Sequence, residues 1–253
     1  MAYTDTCQIF DAKQQDSLRH GGAILRDCLK YVAGLVKPGI STLELDAAAE
    51  EFIVSRGGVP AFKGYHGFPG TLCTSVNDQV VHGIPSAGPL LKIGDIISLD
   101  GGVIFDNLYT DACVTVGVGE IDPKIRSFLV FVSETLENVI GEVVKAGAKV
   151  GDISSFIEKS LQRGGFGVVR TLTGHGLGDT LHQFPDVPNV GKAGTGFTLP
   201  VGTMIAIEPI ATMGRPDVYT ARDNWTVLTK DKSVACHFEH SILITESGPE
   251  IVA

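Results

Sequence analysis

Apolar residues at Leu25, Cys28, Leu29, Val32 and Leu35 recur at steps of three and four, the spacing of one helical face. A second such run, Ile125, Phe128, Leu129, Val132 and Leu136, follows Asp122-Pro123, which supplies a cap and a first-turn proline. Each long pattern leads into a shorter helical one of similar sequence: LVKPGISTLELDAAAEEFIVSRGG, ending at Gly58, and VVKAGAKVGDISSFIEKSLQRGG, ending at Gly165, 107 residues later. The shorter helices are expected to start at Ser41, where Glu44 closes a capping box, and at Asp152. After Arg-Gly-Gly, each half turns to strand-rich sequence. The pattern predicts an α/β (α+β) chain, one domain over 1–253. It would be built from two similar halves, about 12–118 and 121–252, with a cleft between them; chance likeness of two helix-turn-helix segments is the alternative. No linker or low-complexity stretch marks a second independent domain.

The pattern shifts to a period of two in SLDGGVIFDNLYTDACVTVG, residues 98 to 117. Asp106-Asn107 reads as a two-residue turn between β-rich runs, which predicts a hairpin. In that register Phe105 faces Leu108, Gly102 faces Asp111 and Asp100 faces Cys113. Asp100 and Asp111 then share one sheet face as diagonal neighbours, with Cα atoms roughly 7–8 Å apart. A buried carboxylate is costly unless something compensates its charge. Either the two aspartates sit at loop edges in water, or they converge on one or two cations; a longer turn would change the register.

Composition narrows the class. Hydrophobic residues make up 43% of the 253, enough for a sizeable core, and 31 glycines suit a loop-rich fold. A formal charge of −9, with no basic patch, argues against nucleic-acid recognition. The five cysteines (Cys7, Cys28, Cys73, Cys113, Cys236) are scattered and contain no C-x-x-C, which argues against a disulfide framework or structural zinc. The N-terminus carries no signal pattern and no apolar run reaches membrane-spanning length, so a soluble cytoplasmic protein is expected, with no membrane partner.

Three further positions stand out. TGHGLG sets His175 between glycines, where backbone can approach a ligand closely. MIAIEPIA ends an apolar strand on Glu208, before Pro209, and CHFEHSILIT starts another at Glu239. Taken singly, each is more simply structural. Together with the hairpin aspartates they make one imidazole and four carboxylates, a donor set for divalent cations of the manganese, iron, cobalt or zinc kind rather than copper or a thiolate site.

The order Asp100, Asp111, His175, Glu208, Glu239 resembles methionine aminopeptidase of the pita-bread fold. The likeness runs from about residue 12 to 252 and includes GYHGFP, VNDQVVHGIP, GHGLG, IEP, NWTV and FEHSILIT. Only 33 residues separate His175 from Glu208, which matches a type I enzyme, in the short bacterial-style form. The resemblance implies two pseudo-symmetric halves around a dinuclear metal site. It also implies removal of N-terminal methionine, with a small second residue preferred, by metal-activated hydroxide. The partners would be N-termini of nascent polypeptides at the ribosome, and the protein a monomer.

Carried over by motif, Asp100 would chelate one metal, His175 and Glu208 the other, and Asp111 and Glu239 would bridge both. Glu208 would also pass a proton to the leaving amine, and His82 and His182 would hydrogen-bond the substrate and the tetrahedral intermediate. The methionine side chain would lie among Phe62, Tyr65, Phe68, Cys73, Leu181 and Trp225, an aromatic and sulfur lining suited to a thioether. His20 and His237 match no such motif. GDTLHQFPDVPN departs from the family pattern, in which an aromatic precedes the histidine and a glutamate follows it; Leu181 and Gln183 take those places. Two other readings remain: a prolidase or aminopeptidase P-like peptidase on the same fold, and a binding protein that has lost catalysis.

Overall fold

In a computed structural model, which describes residues 6–253, two helices precede strands in each half of the chain. The first pair is α1 (Ala12–Leu35) and α2 (Thr42–Ser55), and the second α3 (Pro123–Glu142) and α4 (Val150–Arg163). Leu25, Cys28, Leu29 and Val32 of α1 are buried, as are Phe128, Leu129, Val132 and Leu136 of α3. The helical spacing therefore marks the faces that meet the sheets.

Capping fixes three of the four starts. Asp11 accepts from the Gln14 N–H at 2.8 Å, and Ser41 and Glu44 form the expected reciprocal box. Asp122 accepts from the Lys124 N–H at 2.7 Å, with Pro123 in the first turn. The fourth start differs from expectation. Helix α4 begins at Val150, not Asp152, and Asp152 lies in its first turn, accepting from the Lys149 and Gly194 N–H groups. No cap residue of the Ser, Thr, Asn or Asp kind precedes the helix, so the sequence places the only visible acceptor two residues late.

Among the described residues every strand pair is antiparallel. A four-stranded sheet joins Val59–Pro60, Ile96–Phe105, Leu72–Val76 and Leu108–Gly117 under α1 and α2. A five-stranded sheet runs Gly248–Ile251, His240–Thr245, Met204–Ile207, Thr173–Leu177 and Gln183–Pro188. Two three-stranded sheets complete the fold: Ala235–His237, Ile210–Thr212 and Gly167–Val168, and Val218–Thr220, Val227–Thr229 and Gln79–Val81. The expected hairpin is present in the expected register, Asp100 opposite Cys113 and Gly102 opposite Asp111. Asp106 and Asn107 both have left-handed φ (50° and 61°), the primed turn that matches strand twist.

Apolar side chains gather in two main clusters. One joins α1 and α2 to the strands at 72–76 and 96–105; the other joins α3 and α4 to strands of the second half. Between them Cys113 and Glu239 exchange backbone hydrogen bonds of 3.2 and 3.0 Å. Ser241 Oγ donates to the Asp111 carbonyl (2.7 Å) and accepts its N–H (2.9 Å). These bonds pin the hairpin to the strand that follows Glu239, and the acidic residues meet at that seam.

Candidate metal centre and substrate pocket

Four segments deliver five donor side chains to one pocket. Asp100 and Asp111 come from the hairpin, His175 from the strand at 173–177, Glu208 from the gap before Pro209, and Glu239 from the gap before the strand at 240–245. Proline cannot continue a ladder, so Glu208 falls where the strand ends. Donor atoms of Asp111, His175 and Glu239 lie within 4.8 Å of one another, and so do those of Asp100, His237 and Glu239. Glu239 belongs to both groups.

The glycines around His175 serve a different purpose from the one expected. A Cβ at Gly174 would stand 2.4 Å from the Ala206 carbonyl oxygen, and one at Gly176 would stand 2.3 Å from that of Phe184. They admit neighbouring strands, not a ligand. The His175 Nδ1–H donates to the Gly176 carbonyl at 3.0 Å, which leaves Nε2 as an acceptor 3.8 Å from Asp111 Oδ2. That is the tautomer a metal-binding imidazole needs.

The electrostatics are those of an uncompensated anionic cluster. Burial raises the Asp100 carboxyl to about 7. Burial, then the charges of Asp100 and Glu208, raises Asp111 well above the usual carboxylate range. Glu208 is raised by burial and Asp100, and Glu239 by burial and the other three carboxylates. Among the described residues, Asp100 Oδ1, Asp111 Oδ1 and Glu239 Oε1 are buried and meet no hydrogen-bond donor. Buried carboxylate oxygens without donors, beside a neutral imidazole, fit a divalent transition metal, which would supply both the missing charge and the missing partners.

Cation binding should therefore displace protons. The folded Asp100 carboxyl, at about 7, exceeds its unfolded value of about 3.9, so its contribution is present below pH ~4 and lost as pH rises through ~7. His175 runs the other way. Burial lowers it to about 4, below an unfolded value of about 6.5, so its contribution is present above pH ~6.5 and lost as pH falls towards ~4. At pH 6.5 the histidine is already neutral and carboxylates supply the protons. Calorimetry of manganese binding in two buffers of different ionisation enthalpy should show proton release, with affinity rising from pH 6 to 8. Buffer-independent heats would contradict this charge state.

The same pocket is lined by Phe62, Tyr65, Phe68, Cys73, Leu181 and Trp225, with Cys73 opposite Asp100 in the sheet. Phe68 meets Trp225 edge-on, with ring centroids 5.1 Å apart. None of the six carries a charge at neutral pH, and burial raises the Cys73 thiol well above its usual value. The His182 ring lies 5.5 Å from that of Tyr65 and 4.3 Å from that of His175, and His82 meets Trp225 edge-on at 6.4 Å. His82 has a left-handed φ of 58°, and the next residue must be glycine, because a Cβ at Gly83 would lie 2.4 Å from the Thr74 carbonyl oxygen. Burial lowers the pKa of His82. Burial, His175, His82 and His66 lower His182 to about 3, so both imidazoles are neutral at pH 7. The Tyr65 hydroxyl lies 3.0 Å from His182 Nδ1, which leaves Nε2 free for a substrate.

The pocket thus brings together all thirteen residues singled out in the sequence, and adds Val81 and His237. His237 carries no motif. Its only signal in the sequence is its place two residues before Glu239 in an extended segment, where side chains share a face.

Residues 16–246 match metallopeptidase family M24. The chain belongs to this family. This M24 protein is 42% identical to the methionine aminopeptidase of Clostridium perfringens over 237 residues, 94% of each chain. The crystal structure of the Thermotoga maritima methionine aminopeptidase superposes with a TM-score of 0.96 at 38% identity, covering 98% of this chain and 99% of that one. Prolidase from Pyrococcus furiosus shares the fold alone, with a TM-score of 0.79 and 20% identity over 96% of this chain and 64% of that one. The M24 chain thus has the pita-bread fold common to both groups.

Proposed function

We infer that this metallopeptidase removes N-terminal methionine from peptides and nascent proteins, and favours substrates with a small second residue. One observation carries the reading: a single cleft is lined by a buried carboxylate–imidazole cluster, with oxygens that meet no donor, and by an uncharged, mainly aromatic set of side chains. High identity to methionine aminopeptidases along nearly the whole chain supports it. The chain is read as one domain of two related halves, each with paired helices leading into strands.

Asp100, Asp111, His175, Glu208 and Glu239 would hold two divalent cations from among manganese, iron, cobalt and zinc, with Asp111 and Glu239 contributing to both. The cations, when bound, supply a nucleophile at neutral pH and polarise the scissile carbonyl. The residues of the chain do the rest. The aromatic slot takes the methionine side chain and excludes water from it. His82 and His182, both neutral, each donate an N–H to the substrate or to the oxyanion that forms from its carbonyl. Glu208, its carboxyl raised by burial and Asp100, receives a proton and passes it to the leaving amine.

The five cysteines are free, in keeping with a reducing cytoplasm, and among the described residues no helix is long and apolar enough to cross a membrane. The substrates are N-termini emerging at the ribosome, and the enzyme acts as a monomer.

Specificity tests the slot. Met-Ala-Ser should be cut with a higher kcat/KM than Leu-Ala-Ser, Met-Leu-Ser or the dipeptide Ala-Pro. Leu181 lines the slot and is smaller than the aromatic of the family pattern at that place. Leu181→Phe should therefore raise the methionine-to-leucine ratio, by about 10-fold or more, since one methylene is worth ~1–3 kcal/mol. Equal cutting of Met-Leu-Ser and Met-Ala-Ser would refute the second-residue rule, and preference for Ala-Pro would favour a prolidase.

A further inference from the structure

His237 ends the strand at 235–237, is 1% exposed, and turns its ring into the carboxylate cluster. Its Nε2 lies 3.9 Å from Asp100 Oδ2, almost the distance that separates His175 Nε2 from Asp111 Oδ2. Two donors that each sit about 2.1 Å from one cation can be no more than about 4.2 Å apart, so both pairs lie within reach of a shared ion. The likeness extends to the third donor, because Glu239 completes each group.

Position and chemistry agree with this geometry. The His237 carbonyl accepts from Thr115 Oγ1 at 2.6 Å and from the Cys113 thiol at 3.6 Å, so the backbone that carries the ring is held to the hairpin that carries Asp100. Nδ1 makes no well-aligned hydrogen bond, although the Val80 backbone stands beside the ring. A histidine serving only the core would be expected to use its ring nitrogens within the protein. Here the nitrogen nearest a carboxylate faces the metal-binding cluster.

We propose that His237 supplies an imidazole nitrogen to the cation held by Asp100 and Glu239. Each of the two cation positions then has one histidine, one carboxylate of its own and a share of Glu239. Without His237, the Asp100 position would be bound by oxygen alone and would suit harder cations; with it, the position favours cobalt, iron or zinc over magnesium or calcium. The proposal rests on the metal-centre reading above.

Cobalt reports on it directly. Loaded with two equivalents of Co²⁺, the protein should show two exchangeable, hyperfine-shifted imidazole N–H resonances in proton NMR. His175→Gln should remove one and His237→Gln the other. Titration by calorimetry should show that His237→Gln weakens one of two cobalt sites by at least about 10-fold, the lower range for residues that merely orient a ligand. A single imidazole resonance in the parent protein loaded with two equivalents would overturn the proposal even if both variants proved unstable. So would two cobalt sites of unchanged affinity in folded His237→Gln. If the parent protein binds no cobalt, or binds it unaffected by Asp111→Asn, the metal-centre reading itself fails, and this proposal with it.

Discussion

Asp111→Asn is expected to lose a cation and most turnover while raising the melting temperature of the cation-free protein at pH 8. The change keeps the shape of the side chain but removes the charge of one member of the donor cluster. Activity should fall by more than about 100-fold, the upper range for residues that only orient a ligand. The gain in stability has the same cause. Asp111 is raised by burial and by the charges of Asp100 and Glu208, so ionising it at pH 8 works against the fold. A neutral amide removes that repulsion. Metal content by elemental analysis and melting by calorimetry check both halves. A variant that keeps two cations, or melts lower when cation-free, would show that Asp111 is not the centre of the cluster.

His82→Ala should separate chemistry from metal binding. His82 lies in the same pocket but in neither donor group, and burial keeps its ring neutral. Its loss should leave cation affinity unchanged and lower kcat by roughly 10²–10³, the effect of removing one oxyanion donor. KM should move little, because the bond strengthens as charge builds on the carbonyl oxygen. Loss of metal in calorimetry, or a change confined to KM, would assign His82 a different part.

The hairpin was legible because its information is local. Asp106-Asn107 tolerates left-handed backbone, and the turn then dictates which side chains share a face. The acidic cluster was legible for a related reason: carboxylates that interrupt apolar strands are costly to bury without a partner, and these four recur together with His175. What escaped the sequence depends on neighbours distant along the chain. The glycines beside His175 answer to the Ala206 and Phe184 carbonyls, one on each adjacent strand. His237 matches no motif, and only the pairing of Glu239 with Cys113 brings it beside Asp100. The start of α4 escaped because Lys149 offers no capping oxygen.

The central claim is that this cleft releases methionine from a peptide N-terminus and needs its cation to do so. Purified protein should be stripped by a chelator, dialysed and incubated with Met-Ala-Ser, and free methionine measured before and after manganese or cobalt is restored. The account predicts no release from metal-free protein and recovery on reloading, with Ala-Ser as the other product. Full methionine release by protein that elemental analysis shows to be metal-free would contradict it.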